Sequence, residues 1–333
     1  MVERRFRDYL EERGLHGKEI GFALRKAEEF ERYLEKRKVS FKSAQLSDLK
    51  DYVSYLIKKR RNSMNTLLAI ASYCGFAKKK ECLIYLVSIL NVSDVLPEIG
   101  KRLATIAGKE VQGRVFEGFE LPPLGSPPDS YPKLTKLIVD RLQAELPSEA
   151  CRNVLTWNYH GIPAEAFKEK KERFEKATSI DEYLENEHRI LVKELEEFMK
   201  EGRVWYEQEI TPEVLDFVKD NQEICTGIRH GDTIHVTKIP YAPKQYLKER
   251  DPVMKRYYAC HCALVRTSMR DGKLGISPVF CYCSSGFEKL AFDAVFGESV
   301  NVELLESILK GDLRCRFAIK IPEKLSKLKK KAR

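Results

Sequence analysis

The chain has 333 residues, 43% of them apolar and 33% charged, with a formal net charge of +9. That length is enough for about two domains of roughly 150 residues each, and the apolar share excludes wholesale disorder. No window reaches the roughly 18 uninterrupted apolar residues of a membrane span, and no apolar stretch follows Met1-Val2-Glu3-Arg4-Arg5, so no membrane partner and no secretory signal is expected and the expected compartment is the cytosol.

Residues 1–107 read as a basic all-α bundle. Phe6, Tyr9 and Leu10 set a first amphipathic turn that Gly14 closes, and Ile20, Leu24, Ala27, Phe30 and Leu34 recur at helical spacing in a second helix. Ser47 is placed to cap a third helix carrying Leu49, Val53, Leu56 and Ile57. Asn62 or Ser63 starts a fourth, with Leu67, Leu68, Ile70 and Ala71. Leu83, Tyr85, Leu86 and Ile89 continue in a fifth, and Asp94 opens a sixth with Pro97 in its early turns, where proline is tolerated. Residues 1–110 hold 23 Lys and Arg against 15 Asp and Glu, whereas residues 111–322 hold 30 against 34. The basic character sits in the helical part and in the tail, a footprint for a polyanion such as DNA or else an ordinary solvated surface. Candidate phosphate contacts are Lys58, Lys59, Arg60, Arg61, Lys78, Lys79 and Lys80. The helix dipole alone also favours positive side chains at helix C-termini.

The run Leu121-Pro122-Pro123-Leu124-Gly125-Ser126-Pro127-Pro128 cannot sustain a helix or an inner strand, so residues 108–132 read as an interdomain linker. Helices resume over 133–145, 148–155 and 164–177. His160, between them, reads as a capping or packing residue. Ser179-Ile180-Asp181-Glu182 is a capping box that opens a long helix to about Lys200. Thr211-Pro212-Glu213 starts a short one, and Glu207, Gln208 and Glu209 before it read as serving its dipole. After residue 222 the texture turns to strands. Ile224–Arg229 and Thr233–Ile239 flank His230-Gly231-Asp232, and Val300–Ile308 and Leu313–Ile321 flank Lys310-Gly311-Asp312, which gives two hairpins. Ile276–Cys283 alternates weakly, and Gly286–Phe296 is an amphipathic helix. The expected fold is multidomain: the all-α bundle, then an α+β domain over 133–322 with antiparallel hairpins covered by helices, then a basic tail over 323–333.

Nine cysteines are an odd number and, in a reducing compartment, a poor disulfide framework. Four fall as Cys260-His261-Cys262 and Cys281-Tyr282-Cys283, and Cys315 lies in the last strand. On strands, the two thiols of each pair would share a face. Cys260, Cys262, Cys281, Cys283 and Cys315 are the candidate metal ligands, for zinc or for an iron–sulfur cluster. The bland alternative is burial, since free cysteine behaves as a small hydrophobe. His261, Arg229, Lys238 and Tyr258 are candidate ligand-binding residues, the two cations for an anionic group.

Two resemblances add to this reading. Phe6-x-x-Tyr9-Leu10-x-x-x-Gly14-Leu15, Ala27–Leu34, Leu46-Ser47-Asp48-Leu49 and Asn65–Phe76 resemble the SAM-like core-binding domain of phage integrases, which implies DNA clamping through the backbone. The recombinase Arg…His-x-x-Arg…Tyr set is not found after the linker, so strand cleavage is not implied. Tyr258-Ala259-Cys260-His261-Cys262, Phe280–Phe287 and Gly311-Asp312-x-x-Cys315-Arg316-Phe317-Ala318-Ile319 look like a prokaryotic family described as a domain of unknown function. The last word is also similar to the ending of 4-vinyl reductase (V4R) small-molecule-binding domains and of the aminothiazoline-carboxylate hydrolase-like family. The V4R resemblance implies zinc with Cys315 as a ligand; the strand before it offers Glu303, Glu306 and Ser307 and no cysteine.

The expected function is a metal- and small-molecule-binding protein acting as a sensor with a DNA-binding N-terminal domain. A zinc- or cysteine-dependent hydrolase and a non-catalytic interaction scaffold are the alternatives.

Overall fold

A computed structural model describes residues 2–272 and 274–328. The first part is helical: α1 (Val2–Glu11), α2 (Lys18–Lys36), α3 (Leu46–Lys58), α4 (Met64–Phe76) and α5 (Lys80–Leu90). Their buried faces form one core around Leu10, Phe30, Leu49, Tyr52, Ile70 and Leu86. Each such side chain, fully buried, contributes about 1.5–3 kcal/mol. Ser63 caps α4 by accepting the Thr66 amide at 3.3 Å. The third helix starts one residue before the expected cap Ser47, because the Asp48 carboxylate already takes the Gln45 amide at 2.8 Å.

α6 (Val95–Ala107) packs into a different core, with Ile99 and Leu103 beside Val139, Leu142, Val154 and Phe280. The seam between the two cores therefore falls between Leu90 and Val92. Lys80–Ala107 is long and apolar enough for a membrane span by composition, but half of it is buried within the fold, α5 in one core and α6 in the other. Part of the stretch read as linker is helical: α7 (Lys109–Phe116) packs on α6 and on α8 (Pro132–Glu145). The prolines act only after it, and the remaining segment is anchored, with the Leu124 carbonyl taking Asn62 Nδ2 at 2.7 Å and Gly125 against Val53 and Leu67.

Then come α9 (Ser148–Leu155), a 3-10 turn (Ala164–Phe167) running into α10 (Lys168–Lys176), and α11 (Ile180–Glu201). Ser179 caps α11 by accepting the Glu182 amide at 3.0 Å. β1 (Val204–Trp205) and β2 (Gln208–Glu209) make a short hairpin before α12 (Pro212–Lys219), which Thr211 caps. The main sheet holds β3 (Ile228–His230) and β4 (Thr233–Thr237), then β5 (Val302–Glu306) and β6 (Arg316–Lys320). Its order is β3-β4-β6-β5, antiparallel throughout. Both expected hairpins are present, turned by Gly231 and Gly311, whose φ of 63° and 102° favour glycine. Between them lie α13 (Pro243–Lys248), α14 (Pro252–Ala259), α15 (Ser268–Asp271) and α16 (Tyr282–Phe296), and α17 (Glu323–Leu328) follows β6. Residues 329–333 of the basic tail lie outside the described residues.

One face of the sheet, Ile234, Val236, Ile319 and Ile321, is covered by Phe174 of α10, Tyr183 and Leu184 of α11 and Phe292 and Val295 of α16. The fold is thus a helical bundle followed by an α+β part. Two local readings are corrected. Within the stretch after residue 222 whose texture reads as strands, residues 243–248 and 252–259 are helices, because Asp251 accepts the Met254 amide at 2.8 Å and proline opens both α13 and α14. Residues 276–283 form a 3-10 turn (Pro278–Cys281) leading into α16 rather than a strand, so neither Cys-x-Cys word sits on a strand.

Candidate functional site

The site is assembled where β4 ends. Lys238, the residue after β4, donates its backbone amide to the Cys315 carbonyl at 3.0 Å and so adds one rung to the β4–β6 ladder. Its ammonium lies 3.2 Å from a Glu288 carboxylate oxygen on α16 and 4.6 Å from the Phe287 ring centroid. Burial pushes this lysine down, but Glu288 and the nearby Cys315 and Cys283 thiols offset it, and its pKa stands above the ordinary value. α16 can approach because Gly286 has no side chain: a Cβ there would lie 2.5 Å from the Trp157 carbonyl oxygen.

The five expected thiols come from three chain segments that lie near one another, and Cys262, Cys283 and Cys315 are within electrostatic reach of Lys238. Cys260 ends α14, its amide bonded to the Arg256 carbonyl at 3.0 Å, and Cys262 follows in the turn. Cys281 closes the 3-10 turn, Cys283 lies in the first turn of α16, and Cys315 immediately precedes β6. Cys260 feels Cys262, Cys315 and Cys281; Cys283 feels Cys262 and Cys281; Cys315 feels Cys281. Burial pushes every one of them up, to about 11 at Cys262 and Cys281 and about 12 at Cys315. Backbone amides oppose that rise: Leu264 and Val265 at Cys262, Leu309 at Cys281, and Ile308 at Cys315. Among the described residues no three His, Cys, Asp or Glu side chains stand close enough to form a ready-made metal cage.

A family model described as a family of unknown function (DUF6144) matches residues 241–326. No curated protein and no solved structure matches the chain. The matched segment contains all five thiols and Glu288, while Lys238 lies just outside it.

Around the thiols stand polar groups that sequence reasoning placed elsewhere or passed over. Glu207, in the turn of the β1–β2 hairpin, does not serve the α12 dipole; burial pushes its carboxyl up to about 7 against the opposing pull of Arg266 and Lys238. Arg266 is 4% exposed, and its guanidinium lies 3.5 Å over the Tyr241 ring. Cys262, Cys281, Cys283, Cys315, Glu207, Lys238, Tyr241 and His261 are enclosed by surrounding protein, yet each keeps part of its surface accessible. Trp157, His160 and Phe287 are exposed, the His160 ring edge-on to Phe287.

The other expected residues divide. His261 is half-buried, its ring hydrogen-bonds the Ile239 carbonyl at 2.5 Å, and burial with Lys238 nearby pushes its pKa to about 3. Arg229 is elsewhere, donating to the Gly231 carbonyl at 2.8 Å and lying 3.5 Å from Asp181, because β3 is the far edge strand. Tyr258 packs edge-on to Tyr257. Of the expected phosphate contacts, Lys58, Lys59, Arg60 and Lys78 are exposed, and Arg61 lies 3.4 Å from Glu29. Lys79 donates to the Ala44 carbonyl at 2.8 Å, and Lys80 pairs with Glu209 at 3.1 Å. Lys78, Lys79 and Lys80 also line a groove of about 730 Å³ with Arg13 and Arg203.

Glu207 gives a pH signature. Its carboxyl is held above the ordinary 4.5, so the folded state binds the proton more tightly than the unfolded chain and stability falls as pH rises from about 4.5 to about 7, then levels. Glu207→Gln is expected to remove that decline and leave the variant on the order of 2–3 kcal/mol more stable relative to the parent at pH 8 than at pH 4.5. Urea unfolding of both chains across this range checks it; parallel pH profiles would contradict it.

Proposed function

We propose that the chain is a ligand-binding protein whose thiol cluster holds a soft metal ion, zinc foremost, inside a cleft that also takes a small ligand. The gathering of thiols from three chain segments, with nearby backbone amides opposing the pKa rise at Cys262, Cys281 and Cys315, carries this reading. Such donors stabilise a sulfur that bears negative charge and are the usual outer layer of a metal–thiolate site. The donor set is all sulfur and soft, which suits zinc, and four of the five thiols would complete a closed tetrahedral site. A bound zinc would supply the positive charge that lets these thiols lose their protons, drawing the sulfurs inward as it does so. A cysteine nucleophile is the less supported reading, since a reactive thiol has a lowered pKa and all five here are pushed up by burial.

A route from this cleft to the basic helical part favours a sensor. Tyr241 and His160 lie close to Ser88 of α5 and Asn91 just after it, and Glu209 takes both Lys80 and Lys244 at 3.1 Å. Occupancy of the cleft would thus be felt at the helices that carry Lys78 and the exposed end of α3. The exposed cations would meet phosphates without reading sequence.

Elemental analysis of protein purified without added metal tests the first half. Bound zinc is expected, replaceable by cobalt(II) with a sulfur-to-cobalt charge-transfer spectrum, lost in Cys262→Ser and Cys281→Ser and kept in Cys151→Ser. A metal-free protein that gives no such spectrum with cobalt would end the metal reading, and an iron–sulfur absorption would replace zinc. For the second half, duplex DNA is expected to bind at low salt and to release steeply as salt rises, with an affinity that changes on metal loading. Indifference to DNA at low salt would remove the sensor reading.

A further inference from the structure

Resting on the ligand-binding reading, we infer that the ligand is a small monocarboxylate, gripped by the guanidinium of Arg266. Arg266 belongs to the turn after the first thiol pair, its amide bonded to the Cys262 carbonyl at 2.8 Å. It is one of the most enclosed charges in the protein, at 4% exposure. Among the described residues no acidic side chain lies within ion-pairing distance of it, although buried arginines ordinarily have such a partner. Its Nη1 reaches the Cys260 carbonyl only at a long 3.5 Å, and Nε has no acceptor among the described residues. Tyr241 covers one face of the guanidinium, so recognition falls to its planar edge, the geometry that matches a carboxylate.

Charge around the site narrows the class. Lys238 is already matched by Glu288 at 3.2 Å, so that pair brings no net charge. Glu207 faces Arg266 and Lys238 from the β1–β2 turn without forming an ion pair with either. While Glu207 keeps its proton, roughly one positive charge, that of Arg266, is therefore left to a ligand, and a dianion would exceed it. Inorganic phosphate and phosphate esters are disfavoured on that count, and neutral molecules would leave Nε without an acceptor. The accessible surfaces of Tyr241, His261 and Glu207 beside the guanidinium provide the space.

The test uses the full chain, once metal-loaded and once chelator-treated, with propionate, propionamide and inorganic phosphate as probes. Calorimetry is expected to show propionate binding, with propionamide and phosphate at least roughly tenfold weaker. Propionate should also slow modification of Arg266 by phenylglyoxal, located by peptide mass spectrometry. Arg266→Lys, which keeps the charge and loses the planar edge, should weaken propionate roughly tenfold or more. Glu207→Gln, which removes a carboxylate that opposes the ligand once ionised, should tighten propionate above about pH 7, and this variant decides the matter even where changes at Arg266 unfold the chain. Equal binding of propionamide, tighter binding of phosphate, or Arg266 labelling that propionate does not slow would each overturn the proposal. Metal binding without carboxylate binding would sink this inference alone, and carboxylate binding to a chain that takes no metal would sink the metal reading alone.

Discussion

Where β4 pairs with β6, Thr237 stands opposite Arg316, and the next rung joins the Lys238 amide to the Cys315 carbonyl. A side-chain lock holds that register. Arg316 grips Glu223 through two nitrogens at 2.5 and 3.0 Å, and Thr237 donates to the same carboxylate at 2.6 Å. Burial pushes Glu223 up, but Arg316 and Thr237 outweigh it and hold the carboxyl below its ordinary range. A slip of one residue would turn Lys238 and its neighbours to the other side of the sheet. The position of the ammonium, and of every charge arranged around it, follows from this pairing.

The interior built on that register is electrostatically unfinished. Buried thiols kept protonated, a carboxyl raised to about 7 and a guanidinium with an unsatisfied nitrogen each cost stability. An apolar core of the same size would fold at lower cost. Groups of this kind in a partly accessible cleft are explained when a bound species meets them: a cation for the sulfurs and an anion for Arg266.

Much of this fold was legible in sequence because its signals are local. Ser63, Ser179 and Thr211 cap helices through bonds three residues long, and the two Gly-Asp turns mark hairpins whose strands are neighbours in the chain. The five thiols were legible as a set through their spacing, although their backbone was misread: Cys-x-Cys is compatible with a strand, but Ser277 caps a 3-10 turn there by accepting the Val279 amide at 3.4 Å. What stayed hidden is non-local. Nothing near Lys238 or Cys315 in sequence says that the two hairpins join through β4 and β6, 77 residues apart at the Lys238–Cys315 rung. Arg266 is a single basic residue in a turn, and Glu207 sits where a helix dipole already explains an acid. α13 to α15 are 6, 8 and 4 residues long, too short to show an apolar period.

The convergence of thiols from three separate segments can be measured directly. The native, reduced chain is treated with dibromobimane, which joins two thiols only when they lie side by side, and the linked peptides are sequenced by mass spectrometry. The account predicts links between Cys262 and Cys281 or Cys283, and between Cys281 and Cys315, with Cys151 unlinked. Links confined within each Cys-x-Cys word, or none reaching Cys315, would contradict it.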